Sequence, residues 1–197
     1  FNLPRFSKEE TSKFIISSLN MPIHESILNY VFRVSGGNPG YAMSLLNYIH
    51  EKSLFIAQDY QAKLLKEPEE KPQSIKSALE LRIKSISQIE KKILYALSSC
   101  DFTLSIESLF LIIEKTDLRL SKEEYLNYIE RLKNCNFLLT NPSTTYDKLK
   151  VNEKINELNI FTTDEMLNGF LLKNLSRSEI KNIHIAIATF IEENPQL

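Results

Sequence analysis

Four segments of this chain share one pattern, a serine followed three residues later by a glutamate: Ser7-Lys8-Glu9-Glu10, Ser87-Gln88-Ile89-Glu90, Ser121-Lys122-Glu123-Glu124 and Ser176-Arg177-Ser178-Glu179. In a capping box of this kind the hydroxyl accepts from the N–H three residues on. The carboxylate reaches back to the serine's own N–H, so two donors that a helix start leaves unpaired are satisfied together. Each segment therefore reads as a helix N-terminus. Apolar residues follow at helical spacing: Phe14, Ile15 and Leu19 after the first box, Ile93, Leu94 and Leu97 after the second, and Tyr125, Ile129 and Leu132 after the third. The last helix runs to about Glu193. Punctuation of this kind predicts a mainly α fold.

Between the first two boxes the periodicity predicts a helix from about His24 to Val34, burying Ile27, Leu28, Val31 and Val34. Ser35-Gly36-Gly37-Asn38-Pro39 ends it. Asn38 is a good N-cap and Pro39 suits the first helical position, where a missing N–H costs nothing. The next helix carries Ala42, Leu45, Leu46 and Ile49, and a fourth apolar-periodic stretch covers Leu54 to Leu65. Glu67-Pro68-Glu69-Glu70-Lys71-Pro72 is polar with a proline near each end, which biases it away from helix and marks a linker. A domain boundary is placed there.

Beyond it a helix is expected from about Ser74 to Ile86, then the second box. Phe102-Thr103-Leu104 reads as a very short strand, and Ser105 caps a helix with Leu109, Ile112 and Ile113. After the third box the pattern changes. Phe137 to Thr140, Lys148 to Val151 and Leu158 to Phe161 read as strands around polar turns such as Asn141-Pro142-Ser143. Three helices followed by a small β-ribbon is the order of a winged helix-turn-helix. Helix resumes at about Asp164 to Lys173.

Composition narrows the function. With 24 Lys and Arg against 25 Asp and Glu, no broadly basic surface is expected. The candidate recognition helix sets Lys122, Arg131 and Lys133 against Glu123, Glu124 and Glu130. The ribbon sets Lys148, Lys150 and Lys154 against Asp147, Glu153 and Glu157. Both reading surfaces are neutral, whereas phosphate contacts supply most nonspecific affinity, so the electrostatics argue against DNA. Cys100 and Cys135 make no disulfide framework and lack metal-ligand spacing, which suits small buried hydrophobes in a reducing, cytoplasmic interior. No apolar run approaches the roughly 20 residues needed to span a bilayer. His24, His50 and His184 have no ligand-spaced partners, so each is expected to cap or pack, with no catalytic or metal-binding residue assigned.

Glycine is scarce, four in all, and Gly36, Gly37 and Gly40 fall within five positions. That leaves no separate G-x-x-x-x-G-K-[ST] loop to cradle phosphates. The glycines allow positive φ and close backbone approach, and the helix beginning at Pro39 offers its dipole to an anion. On spacing alone the plainer reading is favoured, a helix–helix turn that needs glycine.

Leu3-Pro4-Arg5-Phe6-Ser7-Lys8-Glu9-Glu10, followed by Ser35-Gly36-Gly37-Asn38-Pro39-Gly40-Tyr41, resembles the helical lid of STAND-type AAA+ ATPases, the signalling NTPases of large regulators. Ser74-Ile75 through Leu79-Glu80-Leu81-Arg82-Ile83-Lys84-Ser85-Ile86-Ser87 is similar to the family's entry into its winged-helix domain. Leu175-Ser176 with Ile183-His184-Ile185-Ala186 is similar to the element leading into its superhelical repeats. The resemblance thus runs in order over nearly the whole chain. It implies a helical lid over 1–66, a linker over 67–73, a winged-helix domain over 74–175 and a C-terminal helix over 176–197.

By the same resemblance Pro39 is the nucleotide contact, near the adenine or ribose, with Gly36, Gly37 and Asn38 shaping the loop. ATP or ADP with Mg²⁺ would be held by an upstream P-loop ATPase domain of the same protein, so the piece itself is not an enzyme. The chain begins at Phe1 without a Met, which fits a piece of something longer. Helical repeats and protein partners are expected after it, and no membrane. Some family members sense phosphate with a winged-helix histidine; the corresponding place here, Thr162-Thr163-Asp164, has none, and an Asp repels phosphate unless a cation or a lysine intervenes. Two other readings stay open. One is a winged-helix DNA-binding module of an origin-recognition or transcription-type ATPase; the other is a helical protein-interaction scaffold.

Overall fold

The computed structural model describes residues 5–141, 159–162 and 166–195. The expected strand at 148–151 and most of the turn before it lie outside these residues. Two compact units divide the chain, Phe1–Ser85 and Ile86–Leu197. All four capping boxes form. In each, the glutamate accepts from the serine N–H at 2.7–2.8 Å while its own N–H donates to the serine Oγ at 3.2–3.3 Å.

The first unit contains α1 (Lys8–Leu19), α2 (Glu25–Ser35), α3 (Pro39–Glu51), β1 (Phe55–Gln58), β2 (Gln61–Leu64) and α4 (Ile75–Ser85). Helix α3 is its centre, touching α1, α2 and α4. Ile15, Ile27, Val31, Leu45, Ile49 and Ala78 are fully buried around it. The stretch Leu54–Leu65 that reads as helical is instead an antiparallel hairpin, with Gln58 paired to Gln61 across a two-residue loop. Asp59 and Tyr60 both take positive φ, 51° and 60°, which breaks any helix and matches the twist of a tight hairpin. Sequence missed it because the usual Asn-Gly or Asp-Gly signal is here Asp-Tyr, and a run of apolar residues fits either period.

The polar stretch read as a linker lies within the first unit, and the helix after it packs on α3. Tyr41 Oη donates to the Pro72 carbonyl, and Tyr48 Oη donates to that of Glu70 at 3.1 Å. Glu67 pairs with Arg33 at 2.5 Å and with Lys71 at 2.7 Å.

The second unit runs α5 (Gln88–Ser98), β3 (Leu104–Ser105), α6 (Ile106–Glu114), α7 (Lys122–Asn134), β4 (Leu138–Asn141), β5 (Asn159–Thr162), α8 (Leu167–Asn174) and α9 (Arg177–Glu193). Among the described residues its strands form one antiparallel sheet in the order β3-β5-β4, with β5 between the other two. Leu104 pairs with Ile160, and Leu138 with Thr162. Ile93, Leu109, Ile112, Leu132, Phe137 and Leu171 are among its buried residues. Tyr125, fully buried, donates to the Ile106 carbonyl at 2.9 Å and ties α7 to the start of α6. Among the described residues no helix is long and apolar enough to cross a membrane.

Candidate functional site

The glycine loop is where two distant sequence segments meet. Gly36 closes α2 at φ +56° and its N–H donates to the Phe32 carbonyl at 2.9 Å, a left-handed helix cap. Gly37 follows at φ +77°. The extended segment ahead of α1 crosses this loop. Phe6 N–H donates to Gly37 O at 2.8 Å, and Arg5 Nη1 donates to Gly36 O at 3.2 Å. A Cβ on Gly37 would lie 2.2 Å from the Phe6 carbonyl oxygen, closer than any atoms tolerate, so glycine is obligatory there on two independent grounds. At Gly36 the clash would be with the Arg5 guanidinium, the end of a side chain able to move.

Asn38 and Pro39 open α3 as their types require. Asn38 Oδ1 accepts from Tyr41 N–H at 2.9 Å, and the Asn38 carbonyl accepts from Ala42 N–H at 2.8 Å. Pro39 has no N–H, so this first turn is largely self-capped and offers little to an anion. Gly36 is exposed, Asn38 and Pro39 are half-buried, and Gly37 is buried. The surface left to a ligand is therefore the ring of Pro39 beside the exposed Gly36 backbone.

Three phenols of the first unit, Tyr30, Tyr41 and Tyr48, lie close enough to act on one another electrostatically. Burial pushes the Tyr30 hydroxyl up to about 12, with the Glu67 carboxylate adding to the effect, and burial also raises Tyr41 and Tyr48. Tyr41 and Tyr48 sit seven positions apart on α3, two helical turns, which is why both reach the 70–72 backbone. The spacing is visible in the sequence, but nothing in it says that the 70–72 backbone will be the partner. Sequence reasoning also passed over Glu51 and Arg82, whose side chains pair at 2.6 Å and are 5% and 4% exposed.

In the second unit, two cations of the candidate recognition helix are already paired. Lys122 reaches Glu107 at 2.8 Å and Arg131 reaches Glu90 at 3.5 Å. Lys92 on α5 lies between Asp117 and Glu179, 3.3 Å from each. A cavity of about 320 Å³ opens beside β5, lined by Leu97, Cys100, Asp101, Phe102, Phe161 and Thr162 among others. Thr162, the first of the residues where the resembling family carries its histidine, is thus on a cavity wall; Thr163 and Asp164 lie outside the described residues. Burial, helped by Asp101, pushes the Cys100 thiol up to about 11, so it is protonated at neutral pH and no nucleophile.

His24 caps α2, its Nδ1 accepting from Ser26 N–H at 3.1 Å. The His50 ring packs beside Phe55, and His184 Nε2 lies 3.0 Å from the Tyr95 hydroxyl. Each histidine has a capping or packing part. Among the described residues no group of three or more His, Cys, Asp or Glu is placed to share a metal ion. A scan against protein-family models and a search of the curated proteins both return no match to this chain.

Proposed function

We propose that this chain is the lid and winged-helix portion of a STAND-like signalling ATPase, coupling the nucleotide state of a P-loop domain to an interdomain rearrangement. One observation carries the reading. The two segments that resemble the lid motif, 3–10 and 35–41, are joined through Phe6 N–H to Gly37 O at 2.8 Å, with no room for any side chain at Gly37. The order α5-β3-α6-α7-β4-β5, with β5 between β3 and β4 among the described residues, supports a winged helix for the second unit. In this reading Pro39 and Gly36 touch the adenine or ribose of ATP or ADP, while phosphates and Mg²⁺ belong to the P-loop domain.

Only contacts that differ between ATP and ADP states can shift such a switch. The joint of the switch is then taken after α4, where the compact units divide, because Tyr41, Tyr48 and Arg33 fasten the 67–72 stretch to the first unit. The pairing of Lys122 and Arg131 with carboxylates favours a protein-facing use of α7 over a DNA-facing one. Titration of the isolated chain with ATP is expected to show neither micromolar binding nor turnover. In a longer polypeptide that includes the P-loop domain, Pro39→Ala is expected to weaken nucleotide affinity. Unchanged affinity sinks the proposal, and duplex-DNA binding that falls steeply with salt would favour the origin-recognition alternative.

A further inference from the structure

The cavity beside β5 lies within the second unit, at the C-terminal end of α5. Two kinds of wall meet there. Leu97, Phe102, Ile160 and Phe161 give it an apolar side with two aromatic rings, while Asp101 and Thr162 give it a polar one. Its volume of about 320 Å³ equals roughly ten waters at ~30 Å³ each, the size of a small organic molecule.

The sign of its charge is set twice over. Asp101 is the one charged residue in the lining, and it makes no hydrogen bond and no ion pair among the described residues. Its carboxylate acts on the Cys100 thiol, another lining group, in the direction expected of an uncompensated negative charge. The second source is α5 itself. A helix ends in a partial negative charge on its last carbonyls, and the last turn of α5 holds no basic residue. Neutral donors occupy those carbonyls. Cys100 Sγ donates to Ala96 O and Cys100 N–H to Leu97 O, both at 3.3 Å, and Asn168 Nδ2 donates to Ser98 O at 3.1 Å. Each carbonyl is satisfied and none is neutralised. A carboxylate and a helix C-terminus thus bias one concave site towards a cation.

We infer that this cavity binds a small organic cation, an ammonium or amidinium group carried on an apolar body. Asp101 takes the charged head, which also meets the negative end of the α5 dipole. Phe102 and Phe161 hold the body, and aromatic ring faces attract a cation as well. A metal ion suits the site less, because it needs several ligands. Among the described residues no three His, Cys, Asp or Glu are grouped to supply them. An anion would meet the Asp101 charge directly. A neutral apolar molecule would strip water from that carboxylate and put nothing in its place. Neither Pro39 nor the glycine loop takes part, so the inference stands apart from the nucleotide reading.

Titration of the 197-residue chain with phenethylammonium, followed through amide chemical shifts, tests this. Saturable binding with a Kd of about 1 mM or tighter is expected for so small a ligand, with the largest shifts at 100–103 and 160–162. Phenethyl alcohol, similar in shape but uncharged, is expected to bind at least ~10-fold more weakly. Asp101 is exposed, so Asp101→Asn should keep the thermal midpoint. It should also lower the affinity for the ammonium at least ~10-fold and erase the preference over the alcohol. Asp101→Lys, which brings its own ammonium to the site, is expected to abolish binding. Absence of saturation by about 10 mM overturns the inference. So does equal affinity for ammonium and alcohol, full affinity in Asp101→Asn, or a set of shifted amides elsewhere in the chain.

Discussion

Arg82 and Arg131 each face a glutamate from a neighbouring helix, Arg82 in the first unit and Arg131 in the second. In the first pair both side chains are about 95% buried, and Glu51 keeps its second oxygen without a hydrogen-bond partner among the described residues. Burial raises the Glu51 pKa even with Arg82 beside it. In the second pair only Glu90 is buried; Arg131 is 64% exposed. Glu90 also accepts from Ser87 N–H and Oγ at 2.7 Å, so its charge is compensated without the arginine. The same two residue types thus form a structural lock in one unit and a surface contact in the other. What separates them is how much water remains after the partner is removed.

Removing Arg82 is the strongest way to test that difference. Arg82→Ala strands the Glu51 carboxylate in the interior and is expected to cost about 3–5 kcal/mol in urea unfolding. Arg82→Met combined with Glu51→Leu, which removes both charges, should recover most of the loss. Next comes Gly37→Ala, which needs positive φ and collides with the Phe6 carbonyl; about 1–3 kcal/mol is expected by the same measurement. Gly36→Ala, meeting only a movable guanidinium, should cost less than Gly37→Ala. Arg131→Ala closes the comparison at no more than about 1 kcal/mol. If it costs as much as Arg82→Ala, the distinction between the pairs fails.

The smallest effect is one of pH. Hydrogen bonds from the serine backbone and hydroxyl hold Glu10 and Glu124 below the usual carboxylate range. At Glu179 the Ser176 backbone bond leads, and its hydroxyl and Lys92 add to it. Because these folded-state values are lowered, their stabilisation is present above the ordinary value of 4.5 and is lost as pH falls through the folded ones. Glu10→Gln with Glu124→Gln and Glu179→Gln should flatten the stability profile below pH 4.5, as read by helical circular dichroism against pH.

Helix starts were legible because a capping box is a local device: Ser7 and Glu10, or Ser176 and Glu179, need only each other to form. The strands at 138–141 and 159–162 were legible for a similar reason, since apolar and β-branched residues there stand around polar turns such as Asn141-Pro142-Ser143. The hairpin at 55–64 was not, because its turn sets Tyr60, a bulky residue that rarely takes positive φ, where glycine usually follows the aspartate. In the glycine loop the need for glycine was legible but its cause was not. Nothing near Gly37 in sequence says that the Phe6 backbone will lie against it.

By itself, then, the sequence determined a mainly helical chain, where most of its helices begin, and which residues cap them, since these depend on interactions within one or two turns. Only the tertiary structure decided that the polar 67–72 stretch belongs to the first unit and that Glu51 and Arg82 are buried together. Those outcomes rest on contacts between segments about thirty residues apart, such as Tyr41 with Pro72 and Arg82 with Glu51, and such contacts leave no periodicity in a sequence.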